Sequence, residues 1–123
     1  MFVKRFDDCE EIIAIDNTIL REILNPRHDR ADLHLEYSIA HAIVRSGDSS
    51  SPHVLRTSSE VYYILEGTGV MHVDEESVEV GPLDTVYVPP SARQYIENIG
   101  NEDLKFLCIV YPSWRADDEE LVD

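Results

Sequence analysis

The chain has 123 residues, a length that fits one compact domain. Its 10 lysine and arginine residues against 25 aspartate and glutamate residues give a formal net charge of −15, which repels nucleic-acid phosphates and anionic lipid headgroups. Hydrophobic residues make up 43% of the chain, enough to fill a core, so we expect a folded domain. Composition therefore excludes neither an enzyme nor a binding module, but it argues against nucleic acid or a membrane as partner.

The sequence lacks the features of membrane and secreted proteins. Its longest unbroken apolar run, 106–111, has six residues, far fewer than the roughly 20 that a membrane-spanning helix needs. The N-terminus turns acidic before any apolar run of signal-peptide length. Cys9 lies in an acidic, surface-like stretch and Cys108 in an apolar one, with neither the spacing of a redox pair nor that of a zinc knuckle. We expect a cytoplasmic protein with reduced thiols.

The N-terminal third is ambiguous. Between Glu10 and Leu24 the apolar spacing suits either one helix or two strands around Asp16-Asn17. A polar connection follows at 27–32. The pattern alone leaves the secondary structure of this region open.

From residue 36 onward, short β-prone segments alternate with turn residues, a pattern typical of a sandwich or barrel. The last segment is apolar on both faces, which indicates packing between two layers. The predicted class is therefore all-β. The predicted strands are 37–44, 61–65, 70–73, 78–80, 85–88, 93–97 and 104–111.

No repeat, linker or second domain is visible, so residues 1–123 are predicted to form a single domain. The segment 112–123 is an acidic tail that can begin a short helix, with Ser113 as its N-cap. We expect most of the acidic residues, including those at 117–120, on a solvated exterior.

The most informative stretch runs from Gly47 to Gly67 and has the spacing G-x5-H-x-L-x4-E-x6-G through His53, Leu55 and Glu60. This spacing resembles the first motif of the cupin superfamily, G-x5-H-x-H-x3-4-E-x6-G. Leu55 stands where the family has a second histidine.

The second cupin motif, G-x5-P-x-G-x2-H-x3-N, is matched in part. Pro89 and Asn98 agree with it, whereas Leu83, Ser91 and Gln94 depart from it. With core motifs at 47–98, the resemblance implies a double-stranded β-helix, the jelly-roll barrel, in which 19–24 is a strand. It also implies a homodimer, as in other small cupins.

Strand geometry gives a physical reason for this spacing that does not depend on the family resemblance. Residues two apart on a strand share a face, so His53 and Leu55 point the same way. If that face is the barrel interior, Glu60 and Gln94 come from other strands and three polar groups can converge. Glu60 is the one carboxylate expected at a ligand position.

Cupins commonly hold a divalent metal at this place. The resemblance therefore implies His53, Glu60 and Gln94 as metal ligands, in an open one-histidine site suited to Zn²⁺, Mn²⁺ or Fe²⁺. Leu55 cannot coordinate an ion, so half of the family's ligand set is missing. The alternatives are a metal-free polar cluster in which Glu60 and Gln94 bind a ligand, and a hydrogen-bonded relic.

Three further residues are candidates for substrate binding. Leu55 lies on the predicted interior face, and Tyr62 shares the face of Glu60 and would offer its hydroxyl, with core packing as the equal alternative. His41 sits inside an apolar strand, where a buried, hydrogen-bonded histidine is expected; an inward His41 would replace the ligand missing at position 55.

The leading hypothesis is a small-molecule-binding cupin of unknown substrate, with or without a divalent metal in the barrel. By resemblance, an enzymatic version would be a metal-dependent oxygenase or isomerase; no catalytic residue is assigned. The alternatives are a non-catalytic ligand-binding or sensor module and a structural barrel with a decayed metal site.

Overall fold

The computed structural model describes residues 1–123 and is almost entirely β. Two short 3-10 helices, Phe6–Asp8 and Ala116–Asp118, flank the strands. Both are single turns, and nothing helical in the structure has the length and hydrophobicity of a bilayer-spanning segment. The strands are β1 (Glu11–Ile13), β2 (Ile19–Leu24), β3 (Ser38–Val44), β4 (His53–Leu55), β5 (Ser59–Glu66), β6 (Gly69–Val73), β7 (Glu76–Val80), β8 (Thr85–Val88), β9 (Gln94–Asn98), β10 (Leu104–Tyr111) and β11 (Glu119–Leu121).

The strands form two antiparallel sheets. One has the order β1-β2-β3-β10-β5-β8, and the other has the order β11-β4-β9-β6-β7. From β3 onward most consecutive strands, such as β4 and β5, lie in different sheets, so the chain winds between two layers. The predicted all-β class and the jelly-roll barrel are confirmed.

The core lies between the sheets because side chains alternate along each strand. In β5 and β10 every second residue is buried. Tyr62 and Phe106 stack inside with ring centroids 5.2 Å apart, and Ile64 and Ile96 are fully buried. Each such side chain stabilises the fold by about 1.5–3 kcal/mol.

The ambiguous N-terminal region is a hairpin. β1 and β2 pair around a turn in which Asn17 has φ 73°, a left-handed conformation that asparagine tolerates. The strand expected at 19–24 is confirmed. Cys9, expected near the surface, is instead buried, with 4% of its area exposed.

The acidic tail folds onto the barrel instead of forming a helix capped by Ser113. Arg115 precedes the single 3-10 turn, and β11 then pairs with β4. Asp118 fixes this arrangement, because its carboxylate accepts hydrogen bonds from the backbone N–H groups of Thr57 at 2.9 Å and Ser58 at 3.1 Å.

At two positions of the second cupin motif the glycine has been replaced, but the backbone still has the conformation that favours glycine. Leu83 and Ser91 stand at the glycine positions of the second cupin motif, and their φ angles are 73° and 67°. This left-handed region favours glycine. The turns of the motif thus survive its sequence departures, at a local cost in strain.

Candidate functional site

The barrel contains a cavity of about 530 Å³. Its walls come from both sheets, and apolar side chains such as Ile12, Ala42 and Phe106 dominate them. This volume falls within the range of small-molecule sites, in which a few polar groups fix the ligand's orientation. The polar groups that lie close to His53 come from three parts of the chain: the β1–β2 turn, the first cupin motif and the C-terminal tail.

His53, the first residue of β4, lines the cavity with only 3% of its area exposed. Its Nδ1 lies 2.8 Å from the carbonyl oxygen of Ser51. A carbonyl oxygen only accepts hydrogen bonds, so Nδ1 must donate, and the lone pair of the neutral ring is on Nε2. Nε2 has no hydrogen-bond partner; the nearest acid, Asp16, places Oδ2 3.7 Å away.

Asp16 lies in the turn between β1 and β2. One carboxylate oxygen, Oδ1, accepts hydrogen bonds from the backbone N–H of Thr18 at 3.2 Å and from its hydroxyl at 2.8 Å. The other oxygen, Oδ2, is the one that faces His53. The turn therefore orients the carboxylate and leaves one of its oxygens free.

Glu119, the first residue of β11, lies opposite Leu55 in the ladder with β4. Residues directly opposite each other share a face of the sheet, so the Glu119 side chain points into the cavity beside Leu55. Its Oε1 accepts a hydrogen bond from Nε1 of Trp114 at 2.7 Å. Burial raises the pKa of Glu119, and Asp16 adds to the shift, while Trp114 and His53 oppose it.

These three side chains converge. One ligand atom from each of Asp16, His53 and Glu119 lies within 4.8 Å of the other two. One imidazole nitrogen with two carboxylate oxygens is a donor set that suits a hard or borderline divalent ion such as Zn²⁺, Mn²⁺ or Fe²⁺. The residues present therefore fit the metal that the fold implies.

Glu60, the second residue of β5, also lines the cavity and is 7% exposed. Burial raises its pKa to about 7, and the negative charges of Asp16 and Glu119 add to the shift, whereas His53 and a hydrogen bond from the Cys108 thiol oppose it. Near neutral pH this carboxyl group can therefore hold or release a proton inside the cavity.

Gln94 is brought next to His53 but does not line the cavity. The two residues are paired across β4 and β9, and Gln94 is 1% exposed. Its Oε1, the atom expected from the cupin resemblance to bind a metal, accepts a hydrogen bond from the Tyr62 hydroxyl at 2.5 Å. Tyr62 itself lines the cavity, and burial raises the pKa of its hydroxyl well above the usual range.

Of the three residues predicted to contact a substrate, two line the cavity and one does not. Leu55 and Tyr62 line the cavity. His41 lies outside it, on the opposite face of β3, where its ring packs edge-on against Phe6 at 4.9 Å. Since Ala40 and Ala42 face the cavity, alternation directs His41 away, and it cannot replace the ligand missing at position 55.

Two residues of this site were not among the sequence-based candidates. Asp16 lies in a turn, as expected. Glu119 was expected on a solvated exterior, and that expectation is wrong, because it lines the cavity together with Asp16. Neither residue belongs to a motif. The β1–β2 turn reaches His53 through a hydrogen bond from the Ser51 N–H to the Asp16 carbonyl at 2.7 Å, and the tail reaches it through the pairing of β11 with β4.

Comparison with known proteins agrees with this architecture. The family model described as a cupin domain matches residues 40–110. The chain belongs to the cupin family. Among curated proteins, an uncharacterized protein of Methanocaldococcus jannaschii is 42% identical over 118 residues, covering 96% of this chain and 92% of that protein. An oxalate-binding protein of Thermotoga maritima is 36% identical over 64 residues, about half of each chain.

Solved structures share the fold of this cupin. A structure described as a predicted oxalate decarboxylase from Thermotoga maritima superposes with a TM-score of 0.77 and 25% identity, covering 90% of this chain and 99% of that one. A nucleoside dehydratase from Streptomyces superposes with a TM-score of 0.79 and 20% identity, covering 99% and 91%. The recognition of a small single-domain cupin is confirmed.

Proposed function

We propose that this cupin binds a small molecule in its barrel cavity together with a divalent metal ion, held by Asp16, His53 and Glu119. One observation carries the proposal: each of the three side chains is fixed through one polar atom and free at another. Ser51 orients the histidine, and Thr18 and Trp114 orient the two carboxylates. One ligand atom of each residue lies within 4.8 Å of the other two, and the Nε2 of His53 lies 3.7 Å from the free Oδ2 of Asp16.

Such outer hydrogen bonds are a general property of metal sites. They set the tautomer of a ligating histidine, hold carboxylates in one rotamer, and contribute strongly to affinity. A purely structural role for His53 does not explain why this buried residue hydrogen-bonds through Nδ1 alone. The charge also balances, since two carboxylates neutralise a divalent ion and lower the cost of burying it.

A bound ion at this place would supply a Lewis acid to a ligand in the cavity. The protein contributes the surrounding functions. The largely apolar walls offer packing surface to a ligand, and Glu60 offers a carboxyl group that can hold or give up a proton near neutral pH. These groups support the oxygenase- or isomerase-type chemistry implied by the cupin resemblance. The Thermotoga and Streptomyces relatives, named for oxalate and for a nucleoside, show that the fold accommodates small molecules.

The proposal is tested by titrating metal-stripped protein with Zn²⁺ and Mn²⁺ in a calorimeter. We expect one ion per chain, and a loss of affinity of at least about tenfold for Asp16→Asn, His53→Gln and Glu119→Gln. Glu120→Gln is the matched control, because Glu120 is the next residue on β11 but is exposed and pairs with Arg56 at 2.6 Å. Failure of the wild type to bind either ion, or variants that bind as it does, would refute the metal site.

A further inference from the structure

A second cluster of polar side chains lies on the outer face of the sheet, where β7, β6 and β9 are neighbours. Alternation turns His72 of β6 outward, since Met71 beside it is buried. Ser77 of β7 is directly opposite His72, and its Oγ lies 2.8 Å from the Nδ1 of that ring. The Nε2 of the same ring is hydrogen-bonded to Glu97 of β9. Ser77, His72 and Glu97 thus form one hydrogen-bonded row, and none of the three lines the cavity.

The partners of the His72 ring determine where the protons of this row lie. A carboxylate only accepts hydrogen bonds, so the Nε2 of the neutral ring carries the proton and donates to Glu97. Nδ1 then holds the lone pair, and the Ser77 hydroxyl donates to it. Tyr95 fixes the plane of the ring, because it stacks on His72 with centroids 4.1 Å apart and planes 6° apart. A hydroxyl, an imidazole that can accept its proton and a carboxylate that orients the imidazole together make an activated nucleophile.

The backbone of Ser77 adds a hydrogen-bond donor. A two-residue turn at 74–75 joins β6 to β7, so Val73 and Glu76 exchange backbone hydrogen bonds. The next pair, His72 and Ser77, is therefore a non-hydrogen-bonded pair, and the N–H of Ser77 points away from β6. Because β7 is the edge of its sheet, no further strand accepts from this N–H. It can stabilise an oxygen that becomes negative on a group attached to the Ser77 hydroxyl.

We propose that Ser77 is a nucleophile that takes up the acyl group of a small activated ester, with His72 as its base and Glu97 as the residue that positions His72. The Oγ of Ser77 forms a bond to the carbonyl carbon, and the bond from that carbon to the leaving oxygen breaks. The hydroxyl proton moves to Nδ1 of His72 and passes from there to the leaving group or to water. Ser77 is exposed on an open sheet face, so we expect transfer of one small acyl group per chain and no selection for a shaped substrate.

Acetylation by p-nitrophenyl acetate tests the proposal. The full chain is treated in the presence of a chelator, so that a bound metal ion plays no part, and the modified residues are identified by peptide mass spectrometry. We expect acetylation of Ser77 to be about 100-fold faster than that of Ser91, since base catalysis typically contributes 10²–10⁴-fold. Ser91 is the internal control, because it is exposed but has no hydrogen bond to a histidine.

Variants connect the reactivity to the row. His72→Gln removes the base and should slow acetylation of Ser77 by about 100-fold, and Glu97→Gln should slow it by about tenfold or more. Glu79→Gln is the matched control, because it removes an exposed carboxylate two residues from Ser77 on the same strand. Thermal melts check that each variant is folded. Acetylation of Ser77 no faster than that of Ser91, unchanged rates in the His72 and Glu97 variants, or equal slowing by Glu79→Gln would overturn the proposal.

Discussion

Glu119 lies directly opposite Leu55 in the ladder between β11 and β4. Leu55 is the position at which the cupin motif places its second histidine, so the carboxylate enters the barrel beside the missing imidazole. The C-terminal tail therefore places a carboxylate beside the position at which the motif has lost its imidazole. Asp16, from the β1–β2 turn, approaches the same histidine from the other end of the chain.

Restoring the motif histidine should strengthen the site. Leu55→His places a second imidazole on the face of β4 that already carries His53, and imidazole is a strong ligand for Zn²⁺. We expect the dissociation constant for Zn²⁺ to fall by about tenfold or more, measured by competition with a chelator. Val54→His is the control, because alternation turns position 54 away from the cavity. Equal affinity of the wild type and the Leu55 variant would show that no ion sits beside position 55.

We expect the indole of Trp114 to raise the metal affinity without binding the ion itself. Trp114→Phe keeps an aromatic ring but removes the donor that holds Glu119 at 2.7 Å. Loss of such an outer hydrogen bond typically weakens metal binding by about 10–100-fold. Calorimetric titration checks the expected rise in the dissociation constant, and a thermal melt without metal checks that the fold is kept. An unchanged dissociation constant would contradict the role given to Trp114.

The buried Asp118 should anchor the tail. Hydrogen bonds from Thr57 and Ser58 hold the pKa of this carboxyl below its usual range, although burial alone would raise it. We expect Asp118→Ala to lower the free energy of unfolding by about 2–4 kcal/mol, since it leaves buried N–H donors unpaired. Urea denaturation measures this loss. Asp117→Ala, at an exposed neighbour, is the control; an equal effect of both variants would count against the anchor.

Glu60 should make the metal-free protein less stable as the pH rises. Its pKa is raised from 4.5 to about 7 in the fold, so the folded state binds the proton more tightly than the unfolded state. The resulting stabilisation is full below pH 4.5 and is lost as the pH passes 7, at most about 3 kcal/mol. Glu60→Gln should flatten this dependence between pH 5 and 8 in urea denaturation. Parallel profiles for variant and wild type would show that Glu60 is not the group responsible.

The backbone at Leu83 should prefer glycine. Leu83 is 70% exposed and has φ 73°, so its side chain contributes little packing while its backbone is strained. We expect Leu83→Gly to raise the free energy of unfolding by roughly 0.5–1 kcal/mol despite the entropy of glycine. Leu83→Ala removes the same side chain but keeps the strain, and it should give no such gain. A glycine variant no more stable than the alanine variant would contradict this explanation.

The fold was largely predictable because its signals are local. Alternation and turn residues mark most strands, and the motif spacing places His53 and Glu60 on the walls of the same cavity. The structural role of Gln94 was harder to predict from the sequence, because its hydrogen bond to Tyr62 joins two strands in different sheets. Asp16 and Glu119 lie in a turn and in a tail with no motif. Only tertiary contacts, between the β1–β2 turn and Ser51 and between β11 and β4, bring them to His53.

Anomalous X-ray diffraction at the zinc absorption edge, from crystals of metal-loaded protein, tests the proposed metal site most directly. We predict one strong peak within bonding distance, about 2.0–2.2 Å, of a His53 nitrogen and of oxygens from Asp16 and Glu119. A peak bonded to His53 and Glu60 but to neither Asp16 nor Glu119, or no peak in the cavity at all, would contradict it.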